Sequence, residues 1–81
     1  MTDAEINLAI AKIEHPHEVV IRDYCNDWAD IGPIIEREKL TVGYNDTDRL
    51  YFAHDGYGND TTYAETPTKA AALCYLKMKG E

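Results

Sequence analysis

With 81 residues this chain has room for a single domain, 1–81, and a chain of that size buries only about 60 to 65 % of its unfolded surface, so its core must be compact. Its 44 % hydrophobic and 28 % charged residues are ordinary globular values and exclude a disordered chain. Fifteen acids against eight bases, a net charge of −7, argue against direct binding to nucleic acid or to an anionic membrane, because both need lysine and arginine to meet phosphate.

Thr2 followed by Glu5 forms a capping box, and Ile6, Ala9, Ile10 and Ile13 repeat at three and four, which predicts an amphipathic helix stopping before Pro16. The N-terminus carries acids where a signal peptide carries lysines. The longest uncharged apolar run, Ala70 to Leu76, is far short of the roughly 20 residues that span a bilayer, so a cytoplasmic protein is expected. His17 to Arg22 is rich in β-branched residues and too short for a helix, which predicts a short strand.

A central helix is expected to begin near a capping-type Asn26, with Asp27 in its first turn and Trp28, Ile31, Ile34 and Ile35 on its apolar side. Gly32 and Pro33 predict a kink or two short helices in tandem between Asn26 and Lys39. Leu40 to Tyr44 and Arg49 to His54 then read as a hairpin about an Asn-Asp-Thr-Asp turn. Thr61 to Ala64 adds a shorter strand around Tyr63 after a second turn-rich connection, Asp55 to Asp60. Thr66 and Pro67 open a closing helix with Ala70, Ala71, Leu73, Cys74 and Met78 on or near one stripe, stopped at Gly80.

Several fragments of functional patterns are present, each with a plainer explanation. His15, His17 and His54 with Glu14 or Glu18 are zinc-type donors, but Pro16 forces an extended turn in place of the helical i, i+4 pairing of a catalytic zinc site. Asp46 to Asp48 and Asp55 to Asp60 resemble parts of calcium loops. The first lacks the glycine at the sixth position and the second lacks alternating acids, so both read as hairpin turns. Cys25 and Cys74 begin no Cys-x-x-Cys pair and sit among apolar neighbours, which predicts reduced, buried thiols. Gly56 and Gly58 are followed by no phosphate-loop lysine and open no helix. No cofactor, metal site or catalytic residue is expected.

The acidity is concentrated between Leu40 and Thr66, where Asp46, Asp48, Asp55, Asp60 and Glu65 face Arg49 alone. Four of the six tyrosines, Tyr44, Tyr51, Tyr57 and Tyr63, fall in the same region, and tyrosine joins a large contact area to a polar tip. Strand propensity and cross-strand packing explain these tyrosines more simply. The sharper reading is a partner-binding face made of Tyr44, Asp46, Asp48, Tyr51, Asp55, Tyr57, Asp60 and Tyr63.

The blocks YCNDWADIGPIIERE and ETPTKAAALCYLKMKG resemble the phage ABA sandwich domain family of small phage and prophage proteins. Asp23, Tyr24, Asn26, Trp28, Pro33, Pro67, Ala70, Ala71, Ala72 and Tyr75 stand at the matching positions. That resemblance implies an N-terminal helix, a short strand, a second helix, a β meander and a final alanine-rich helix, and it brings no catalytic motif with it.

The expected fold is therefore α+β, an antiparallel sheet of three or four strands covered by three helices, with Trp28, Ile31, Ile35, Ile10, Ile13, Leu73 and Leu76 in its core. The expected function is that of a non-enzymatic phage or prophage accessory protein. It would bind a bacterial host protein bearing a basic patch, for instance to block a defence or regulatory system, through the acidic tyrosine-bearing hairpin. Two rivals come from other classes. A nucleic-acid mimic needs carboxylates in rows at phosphate-like spacing. A small enzyme needs a pocket that a chain this short builds most readily between protomers of a homo-oligomer.

Overall fold

Thr2 opens α1 (Asp3–Glu14) as a reciprocal cap: its hydroxyl accepts from the Glu5 amide at 3.2 Å, and Glu5 Oε1 accepts from the Thr2 amide at 3.0 Å. Ile6 and Ile10 are buried on its inner side. In the structure, a computed structural model that describes residues 1–80, five further elements follow: α2 (Trp28–Glu38), β1 (Thr41–Asn45), β2 (Leu50–His54), β3 (Thr62–Ala64) and α3 (Pro67–Met78). The fold is α+β, with three helices and a three-stranded antiparallel sheet in the order β1-β2-β3.

The strand expected over His17 to Arg22 is absent. His17 lies in a turn and Glu18 in a bend, Val19 to Arg22 take up no regular structure, and no other strand lies beside them, so Val19 and Ile21 stand 96 % and 95 % exposed. β-branched composition favours extended backbone, but a strand exists only where a neighbour completes its hydrogen bonds.

The cap of α2 is also displaced by one residue. Asp23 accepts from the amides of Asn26 and Asp27 through its carbonyl, closing a tight turn, and Asp27 caps α2 by accepting from Ala29 at 2.9 Å. Asn26 instead donates its side-chain amide to Asp23 and Asp3. Gly32 and Pro33 do not divide α2, which runs unbroken to Glu38. The donor that Pro33 lacks would have served the carbonyl of Ala29, an exposed residue, so its absence strands no buried polar group.

Lys39 ends α2 in the left-handed conformation, φ 56°, with the Leu40 amide returning to the Ile35 carbonyl at 3.0 Å. A side chain there costs steric energy that glycine avoids. Lys39→Gly is therefore expected to raise stability by roughly 0.5 to 1 kcal/mol, read as a higher urea midpoint at unchanged slope, after part of the gain is offset by a freer unfolded chain.

α3 is the middle layer. Thr66 caps it, Pro67 occupies its first turn, and Thr68, Ala70, Ala71, Ala72, Cys74, Tyr75 and Leu76 are buried around most of its circumference. All three strands pack on α3, and so do α1 and α2. The run of three alanines gives a narrow rod that can be approached from several sides. Thr62 donates to the Ala70 carbonyl at 2.7 Å, tying β3 to α3, and buried Thr68 donates to the Cys25 carbonyl at 2.6 Å, tying α3 to the turn before α2.

Of the expected core residues, Ile10, Ile31 and Leu76 are buried, while Ile13, Ile35 and Leu73 pack half-buried against its margin. Trp28 is not a core residue. It is the first residue of α2 and 54 % exposed, and the buried positions on either side of it belong to Tyr24 and Ile31.

Candidate protein-binding face

Side chains alternate along each strand, so the register fixes which of them meet α3. Val42 pairs with Ala53 and Ala53 with Thr62, while Tyr51 lies between Tyr44 and Ala64. Val42, Tyr51, Ala53 and Ala64 belong to or pack on the core, so this set faces the helix. The complementary set, Gly43, Phe52, His54 and Tyr63, occupies the opposite side of the sheet, over which no helix packs.

Phe52 is the centre of that outer face. It is opposite Gly43 on one side and Tyr63 on the other. Its ring lies over Gly43 so closely that a Cβ there would stand 2.6 Å from Phe52 Cζ; glycine is what lets the ring lie flat. His54 stacks beside it, with ring centroids 5.7 Å apart and planes 7° from parallel. The Nδ1 of His54 sits against the Asp55 carbonyl, which can only accept, so Nδ1 is the donor in that contact. Although Phe52 is the chain's one phenylalanine, it is absent from the side chains packed on the core among the described residues.

The eight residues expected to form a single acidic, tyrosine-bearing face are spread over different surfaces. Tyr44 and Tyr51 are on the helix side of the sheet, in an edge-to-face pair with centroids 5.0 Å apart, whereas Tyr63 is on the outer side. Asp46 and Asp48 occupy the β1–β2 turn. Asp55, Tyr57 and Asp60 lie in the connection at the other end of β2, a five-residue strand or roughly 15 Å away. Asp55 also organises its own loop, where its Oδ1 accepts from the amides of Tyr57 and Asn59, each at 2.8 Å. Those bonds, that of Asn59 first, hold its carboxyl below the usual range. Asn45 does the same at the first turn, accepting from Thr47 at 3.0 Å.

Composition and motifs did not single out Phe52 and marked His54 only as a zinc-type donor, although a signal for the pair was there. In Leu50 to His54 the small Ala53 is the residue that fits beneath an alanine-rich helix, and strand alternation then sends Phe52 and His54 to the far side.

The densest polar cluster is structural. Arg37 of α2 grips Glu14 of α1 with two parallel bonds of 2.8 and 2.9 Å and meets Glu38 at 3.0 Å, Tyr75 of α3 donates to Glu14, and Lys79 reaches Glu38 at 3.5 Å. The Arg37 bonds hold Glu14 and Glu38 below the usual carboxylate range. Burial, followed by the bond to Glu14, raises the Tyr75 phenol. Every polar group is matched within the cluster, which joins three helices. The two thiols are likewise quiet: Cys25 and Cys74 are unpaired and buried, and burial pushes each up to about 11, away from the thiolate a nucleophile needs. Among the described residues no three His, Cys, Asp or Glu side chains gather as metal ligands, and no helix is long and apolar enough to cross a membrane.

No protein-family model, curated protein or solved structure matches this chain.

Around the β3 edge the outer face continues into a shallow groove lined by Leu50, Tyr63, Glu65, Lys69 and Leu73. Lys69 is held there by Asp3 at 2.9 Å. Aromatic rings at the centre of an open sheet, carboxylates at both ends of its strands and a half-neutralised groove at one edge make a surface for contact.

Proposed function

We propose that this chain is a non-enzymatic interaction protein whose outer sheet face, centred on Phe52, His54 and Tyr63, docks a basic-patched protein of a bacterial host. In this reading it is a phage or prophage accessory protein, following the family resemblance of its two helical blocks, and it acts in the host cytoplasm by occupying a defence or regulatory protein. The observation that carries the proposal is the placement of the chain's one phenylalanine, stacked on a histidine and beside a half-exposed tyrosine, on a sheet face that no helix covers. Aromatic anchors ringed by polar groups are where binding energy concentrates, and a net charge of −7 favours a basic partner and speeds its encounter. Asp46 and Asp48 at one end and Asp55 and Asp60 at the other supply the charged rim.

The test is affinity capture from bacterial lysate with tagged wild-type protein, Phe52→Ala/Tyr63→Ala, and the four aspartates changed to asparagine, each with and without nuclease. Folding of each variant is checked by circular dichroism. A protein held by wild type in both nuclease arms should be lost by the aromatic variant, with a loss of roughly 30-fold or more in affinity when purified. It should be weakened, more so at high salt, by the asparagine variant. Retention by the aromatic variant would remove the outer face from the proposal. Loss with nuclease would point to nucleic-acid bridging.

A further inference from the structure

The unpaired segment Glu18 to Arg22 has a property that composition hides: read in both directions from Val20, its chemistry is complementary to itself. We infer that this segment is the self-pairing strand of a two-fold symmetric dimer, and that the partner it fits is a second copy of this chain.

An antiparallel pair centred on Val20 sets Val20 against Val20, Val19 against Ile21 and Glu18 against Arg22, each of the last two occurring twice by symmetry. Both charge pairs are opposite in sign, and both apolar pairs join β-branched residues, the combinations that favour cross-strand pairing. Within the segment Val20 alone is half-buried, in a groove it lines together with Ala4 and Leu8 of α1, while Glu18, Val19, Ile21 and Arg22 are exposed and open to a second chain.

The backbone selects between the two possible ladders. Among the described residues, the Glu18 amide is committed to the His15 carbonyl at 3.4 Å, while no hydrogen bond within the chain engages the amides or carbonyls of Val19 and Ile21. A ladder in which Val19 and Ile21 exchange both bonds with their counterparts uses only free groups and yields four bonds. Val20 and the Glu18–Arg22 pairs then occupy the non-hydrogen-bonded positions, where side chains come closest. Arg22 meets Asp30 through Nη1 at 3.4 Å, and its Nε and Nη2 remain for the second copy's carboxylate. Five-residue strands make a small interface, at or below the low end of the stable range, so the dimer should form reversibly with concentration.

Sedimentation velocity of the full chain over a wide concentration series tests this, with Val20→Pro, Glu18→Arg, and Glu18→Arg/Arg22→Glu as variants. Circular dichroism confirms that each retains its helices. Wild type should pass from monomer to dimer mass as concentration rises. Val20→Pro should stay monomeric, Glu18→Arg should weaken the dimer about tenfold by placing two arginine pairs face to face, and the double exchange should restore it. A wild-type chain that stays monomeric throughout overturns the inference, whether the segment is covered by another protein or lies free. So does a dimer indifferent to Val20→Pro, or one that Glu18→Arg abolishes and the double exchange fails to restore.

Discussion

Ile31→Ala is expected to lower the unfolding free energy by about 2 to 5 kcal/mol, whereas Trp28→Ala, which deletes a far larger side chain three residues earlier, should cost less than about 1 kcal/mol. Ile31 is fully buried in the core, so its removal both forfeits apolar transfer and leaves a cavity that close-packed neighbours fill poorly. Trp28 lies on the first turn of α2 with more than half its surface in water. A domain of this size is stable by roughly 4 to 12 kcal/mol, so the isoleucine change removes a large part of the total. Urea unfolding followed by far-ultraviolet circular dichroism measures both. Similar midpoint losses for the two variants would place Trp28 in the core and contradict the start of α2 at that residue.

Glu14→Ala should cost about 1.5 to 3 kcal/mol, and Tyr75→Phe about 1 kcal/mol. Glu14 is the common acceptor for the Arg37 fork and for the Tyr75 hydroxyl. Removing it leaves the proton of a buried phenol without an acceptor, while Arg37, about half exposed, returns to water. Tyr75→Phe deletes the donor and leaves Glu14 satisfied by Arg37, hence the smaller cost.

The same cluster sets a pH dependence whose direction follows from its bonds. Glu14 and Glu38 have folded-state pKa values below the ordinary 4.5, chiefly through Arg37. Their contribution is therefore complete above the unfolded value and is lost as pH falls through the folded one. Asp3 and Asp55 shift in the same direction, through Lys69 and through the Asn59 amide respectively. Thermal midpoints should accordingly fall as pH is lowered from about 5 towards about 3, and Glu14→Gln should flatten that fall without abolishing it. A wild-type midpoint independent of pH across this window would deny the cluster its stabilising part.

Much of the architecture could be read locally. The Thr2 and Thr66 caps, Pro67 in the first turn of α3, the two turn-rich connections and the three-strand meander are determined by residues within a few positions of one another, and the structure contains each of them. The errors share a different cause. Val19 to Ile21 had the composition of a strand but no neighbour. Asn26 had the chemistry of a cap, but the Asp23 turn delivered Asp27 to that position. Trp28 had the hydrophobicity of a core residue, but the buried positions beside it went to Tyr24 and Ile31.

The binding face divides along the same line. Alternation in Leu50 to His54 determined that Phe52 and His54 share a side opposite Ala53, and composition determined that the chain is acidic. Which side of the sheet remains open was decided only when α3 docked on the Ala53 side and drew α1 and α2 onto itself, away from the strands. Local propensity acts through backbone sterics and near-neighbour hydrogen bonds, and these are written in the sequence. Burial, pairing and exposure belong to contacts between residues far apart in the chain, so only the assembled layers could separate Tyr63 from Tyr44, leave the Phe52 side of the sheet without a covering helix and strand Glu18 to Arg22 without a partner.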